Sequence, residues 1–138
     1  MVHALSEMHR MIATGGILVD LRPRTCQPKV VIVSGDDRHL AGVIDDEAGA
    51  GEDQAADQAV ETTVARGWFK QRTTVRFHFD YYWDSAQDMH AYLSERWGDF
   101  AVIPDEVVAE ADRLLAAASL PAQVRVRTEM MLSLYEAL

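Results

Sequence analysis

Several things are scarce in this chain, and each scarcity excludes something. One cysteine, Cys26, in 138 residues leaves no partner for an intrachain disulfide and fits a reducing cytoplasm. Basic residues are outnumbered: 13 Lys and Arg stand against 22 Asp and Glu, a net charge of -9. That is the wrong sign for bulk attraction to nucleic acid or to anionic membranes. No apolar run approaches the roughly 20 residues that a membrane span needs. His3, Glu7 and Arg10 recur at helical spacing where a signal peptide would be apolar. A Gly-x-Ser-x-Gly elbow, a phosphate-binding loop and a His-Glu-x-x-His pair are all missing, so no catalytic residue is assigned. His3 and Glu7 lie one helical turn apart and His9 is on another face, short of the three or four converging ligands that zinc requires, so both histidines read as solvated and no metal is expected.

The rest is an ordinary globular composition, 49% hydrophobic and 25% charged. The length suits a single α/β domain over residues 1–138. The negative charge is local: Asp36 to Glu61 holds nine acids against Arg38 alone, and so carries -8 of the -9. Its middle, Asp45 to Asp53, is small, polar and glycine-containing, which suits a surface loop running into a helix N-terminus. The alternating carboxylates and closing glutamate of a calcium loop are not there.

Periodicity supplies the elements. Leu5, Met8 and Ile12 predict an amphipathic helix over residues 2–13, stopped by Thr14-Gly15-Gly16. Ile17 to Leu21 predicts a short strand buried on both faces and ended by Arg22-Pro23, which leaves Cys26 in a loop between Pro23 and Pro28. Lys29 to Val33 and Leu40 to Ile44 flank Ser34-Gly35-Asp36-Asp37-Arg38 as a hairpin. Gln54 to Arg66 predicts a helix, with Ala55, Ala59, Val60 and Val64 as its apolar pattern. From Trp68 to Trp83 one parity holds Phe69, Val75, Phe77, Phe79, Tyr81 and Trp83, predicting a long strand with one buried face. Asp84 or Ser85 caps a helix to about Trp97 that buries Met89, Tyr92 and Leu93, and Pro104 starts another with Val107, Val108, Ala111, Leu114 and Leu115 inward. The last strand sets Val124, Val126, Met130, Leu132 and Leu134 on one face, and Arg125, Arg127, Glu129 and Ser133 on the other. The expected order is α-β-β-β-α-β-α-α-β: an α/β or α+β fold with a small mixed, largely antiparallel sheet.

The segment Ala4 to Pro23, ALSEMHRMIATGGILVDLRP, resembles the helix, Gly-Gly turn and fifth strand of class I S-adenosylmethionine-dependent methyltransferases. Thr14 stands where that family commonly has proline, while Gly15 and Gly16 match. Val64 to Phe69 is similar to the helix exit before the family's sixth strand, and Phe77 to Leu93 resembles the region that follows. The resemblance implies that Val124 to Tyr135 is the seventh strand, running antiparallel between strands five and six. The hairpin of Lys29 to Ile44 would then be an insertion. It covers only the C-terminal half of the fold. The Gly-rich turn and acidic ribose ligand that hold the family's cofactor have no counterpart among these residues, since Gly49-Ala50-Gly51 lies in the acidic loop. No cofactor residue is therefore carried over, and no cofactor is expected.

These features predict a methyltransferase-like half domain that acts through a homodimer or a separate protein chain rather than by catalysis. Two further functions stay open: binding of a small anionic metabolite, and service as one subunit of a split methyltransferase. The candidate ligand residues are Arg76, His78, Tyr82, Arg125 and Arg127, which share the polar parity of the two long strands. The simplest alternative for the same residues is a salt-bridged outer face.

Overall fold

A computed structural model describes all of residues 1–138. In chain order the elements are α1 (Val2–Met11), β1 (Ile17–Ser34), β2 (Asp37–Val43), a 3-10 turn (Glu47–Gly49), α2 (Ala50–Ala65), β3 (Phe69–Trp83), α3 (Ala86–Trp97), α4 (Asp105–Ala117) and β4 (Ala122–Ala137). This is a mixed α/β fold whose four strands form one antiparallel sheet in the order β2-β1-β4-β3. No helix is long and apolar enough to cross a membrane. Contacts gather the chain into two compact units. The first is Met1–Arg24, Ala50–Phe77 and Met130–Leu138; the second is Thr25–Gly49 and His78–Glu129.

One expected boundary is absent. The strands predicted at Ile17 to Leu21 and Lys29 to Val33 are a single strand of 18 residues, so Cys26 lies in β1 and not in a loop. β2 pairs with β1 only from Lys29 to Ser34. Along the earlier stretch one side of β1 has no neighbouring strand, and proline there interrupts no ladder on that side. The hairpin itself closes as expected: Ser34 pairs with Asp37, and Gly35 supplies a φ of 57°.

In the second unit, Val30, Ile32, Val124 and Val126 of the sheet meet Met89 and Leu93 of α3 and Val107 and Ala111 of α4, all buried. Ser85 caps α3 by accepting from the Asp88 N–H at 3.0 Å, as expected. Tyr92 is exposed, contrary to its predicted inward position, and its ring lies against Tyr81 and Trp83. α4 runs beside β2, where Gly42 leaves room that a Cβ would lose to Val107 Cγ2 at 2.4 Å.

In the first unit, Phe69, Tyr135 and Ala137 are buried and pack with Leu18 of β1 and with Val60 and Val64 of α2. α2 buries Ala56, Ala59 and Thr63, while Ala55 is exposed. His9 of α1 is half-buried rather than solvated: its ring stacks on Trp68 and meets Phe69 edge-on, at centroid distances of 5.9 and 5.3 Å. Here β4 buries Met131, Ser133, Tyr135 and Ala137. Met130, Leu132 and Leu134, predicted inward, are only half-buried, because the helices of this unit cover the Ser133 side.

The other face of the first unit's sheet has no helix over it. Ile17, Val19 and Leu21, predicted to be buried on both sides of their strand, are 52%, 55% and 53% exposed. On β3, Thr74 turns to Ser133 with the two hydroxyl oxygens 2.8 Å apart, so Val75 and Phe77 turn the opposite way. They are 46% and 41% exposed, against the expectation that this parity is core.

Candidate functional site

The polar residues singled out on the long strands divide between two clefts. In the second unit, His78 of β3 and Arg125, Arg127 and Glu129 of β4 line a cleft of about 390 Å³ with Cys26, Pro28, Lys29 and Val31 of β1. Strand alternation explains the grouping. Val124, Val126 and Thr128 point into the core, so Arg125, Arg127 and Glu129 point out of it.

Arg127 is the anchored member. Its Nε and Nη2 donate to the two carboxylate oxygens of Asp80, both at 2.7 Å. This bidentate contact holds the Asp80 carboxyl below its ordinary value, outweighing the upward push of partial burial. The Tyr82 hydroxyl donates to Asp80 at 3.5 Å, so Tyr82 reaches the cleft only through that carboxylate. Arg125 is half-buried, and its Nε is enclosed with no hydrogen-bond partner.

A local irregularity in β1 shapes the opposite wall. Gln27 has a φ of 52°, unusual for a residue with a Cβ. The buried carboxylate of Asp46 secures it, accepting from the Cys26 N–H at 3.0 Å and the Gln27 N–H at 2.9 Å. Cys26 is exposed, and its Sγ accepts from the Glu129 N–H at 3.5 Å. Lys29 then stands exposed at the rim, while Pro28 and Val31 give the cleft an apolar floor. Lys29, Cys26 and Gln27 were not among the candidates from sequence. Lys29 alternates with buried Val30 and would have been found had residues 17–33 been taken as one strand.

Arg76 belongs to the first unit, in a cleft of about 440 Å³ lined also by Arg22, Arg24, Asp57, Glu61 and Thr74. There the cations meet carboxylates. Arg22 donates to Asp20 at 2.9 Å and to Asp57 at 3.0 Å, and Arg24 donates to Asp57 twice at 2.9 Å. Burial works to raise the Asp57 carboxyl, but hydrogen bonds from Arg24 and Arg22 prevail and hold it below its ordinary value. Arg22 Nη1 is buried without a partner, yet its other nitrogens are tied down, so this cluster reads as a structural ion-pair network.

The structure thus brings together His78, Arg125 and Arg127, links Tyr82 through Asp80, and sets Arg76 in the first unit's cleft. Comparison with family models, with curated proteins and with solved structures gives no match.

Proposed function

We propose that residues 1–138 form the C-terminal half of a methyltransferase-like sheet and act by association, with a second copy covering the bare face of the first unit. The strand order supports the first part. β4, last in sequence, lies between β1 and β3, the arrangement that the resemblance to strands five, seven and six requires.

The observation that carries the second part is the apolar face. Ile17, Val19, Leu21, Val75 and Phe77 are each 41% to 55% exposed. With half-buried Met130, Leu132 and Leu134 they leave roughly 500 Å² of apolar surface in water, at the upper end of what a monomer carries in one patch and a size at which such patches often mark an interface. Two such faces set against each other would bury roughly 1,000 Å² in all, where specific interfaces begin. A sheet face of this kind is self-complementary under a two-fold axis, in an aligned sandwich about 10 Å thick. The Arg72–Glu136 ion pair supplies a polar rim. Pairing through the edge of β3 is less favourable, because Lys70, Arg72 and Arg76 guard that edge.

The test combines light scattering behind a sizing column with calorimetric titration of S-adenosylmethionine into the same sample. The expected result is a particle of twice the 15.4 kDa chain mass that takes up no cofactor. A monomer that binds S-adenosylmethionine would overturn the proposal. Cofactor binding that arises only on adding a different chain would instead identify a subunit of a split methyltransferase.

A further inference from the structure

We infer that the cleft of the second unit is a binding site for a small oxyanion, a carboxylate or a phosphate carried on a compact body. Its lining is net positive in a chain that is acidic as a whole. Lys29, Arg125 and Arg127 bring three positive charges to the lining, against Glu129 within it and Asp80 behind Arg127. The first unit's cleft is the contrast: there Asp20, Asp53 and Asp57 already pair with Arg22 and Arg24.

Arg125 supplies the more pointed observation. Its Nε is enclosed and has no acceptor, and a buried donor without an acceptor is costly to leave unmade. Guanidinium and ammonium groups that line one cleft, as Arg125, Arg127 and Lys29 do, are the groups that recognise carboxylate and phosphate oxygens. Pro28 and Val31 at the floor lower the local dielectric and strengthen any such contact. The facing wall is held in place by Asp46, which secures the Cys26 and Gln27 amides, so little ordering is required of the protein when a ligand enters.

Size and field exclude larger anions. A cleft of about 390 Å³ matches a small metabolite. The segment from Asp36 to Glu61, with nine acids against one arginine, repels a polyanion such as nucleic acid. This inference is independent of self-association and stands whether the chain is a monomer or a dimer.

The test uses the whole chain, with citrate and inorganic phosphate as probes. Each probe at about 10 mM is added before thermal unfolding. In parallel, the rate at which Cys26, the only thiol and a cleft residue, is alkylated is measured with and without the probe. The expected result is a rise in Tm and a several-fold slowing of Cys26 alkylation. Arg125→Gln should abolish both, Lys29→Gln should weaken both, and Arg113→Gln on the outer side of α4 should leave both intact. A response to phosphate alone assigns the site to phosphate esters, and a response to citrate alone assigns it to carboxylates. Should Arg125→Gln fail to fold, Lys29→Gln, an exposed position, still carries the test. Absence of any Tm shift and of any Cys26 protection would overturn the inference. So would a shift of equal size in wild type, Arg125→Gln and Lys29→Gln, which is the general effect of an excluded salt.

Discussion

Asp80 and Arg127 show how one ion pair can be tuned by its setting. Arg127 holds the Asp80 carboxyl below its ordinary value of 3.8, so the pair stabilises the fold above the unfolded-state value. That contribution fades as pH falls through the lower, folded-state value. The side chains are 43% and 21% exposed, so solvent screens the pair, and Arg127→Gln should cost only about 0.5 kcal/mol at neutral pH. Urea unfolding of wild type and variant, repeated as the pH is lowered, should show the gap closing on the acid side. A gap that stays constant or widens would mean that Asp80 is not the partner that matters. At this scale the sequence was informative about composition and less so about company. Alternation put Arg125 and Arg127 on the polar side of β4, as found. It also grouped Arg76 with His78, because nothing in the local pattern reveals that Arg76 lines a different cleft, with Arg22, Arg24 and Asp57.

Elements with local signals were legible. Gly35 with its neighbouring aspartates marks the β1–β2 hairpin, and Ser85 marks the start of α3, because turn and cap chemistry reside in a few consecutive residues. β1 was not legible as one strand. Pro23 and Pro28 look like breaks, yet the strand continues because β2 reaches back only to Lys29 and because Asp46, 19 residues beyond Gln27, accepts the amides at the irregular turn of the strand. Asp46→Ala should therefore cost about 2 kcal/mol, leaving two amides without acceptors, and amide hydrogen exchange at Cys26 and Gln27 should accelerate. Unchanged exchange there would contradict the clamp. The approach of β2 to α4 gives a second check. Gly42→Ala drives a Cβ to 2.4 Å from Val107 Cγ2, and should lower stability by about 1–3 kcal/mol. Trimming the neighbour in Gly42→Ala/Val107→Ala should make the two substitutions clearly non-additive.

For the whole molecule, the decisive feature is apolar surface left outside both cores. Hydrophobic alternation in β3 and the run Ile17 to Leu21 signalled burial; Phe69 and Leu18 obey it, while Ile17, Val19, Leu21, Val75 and Phe77 are exposed. The signal reports what a side chain prefers, not which chain covers it. In the first unit α1 and α2 serve one side of the sheet, and a second copy supplies cover for the other in the association proposed. The most direct measurement is the mass in solution of wild type beside Leu21→Glu/Val75→Glu, two changes on strands that flank β4 on that face. The account predicts a wild-type dimer and a monomeric variant with an unchanged circular dichroism spectrum. A wild-type monomer, or a variant that remains dimeric, would contradict it.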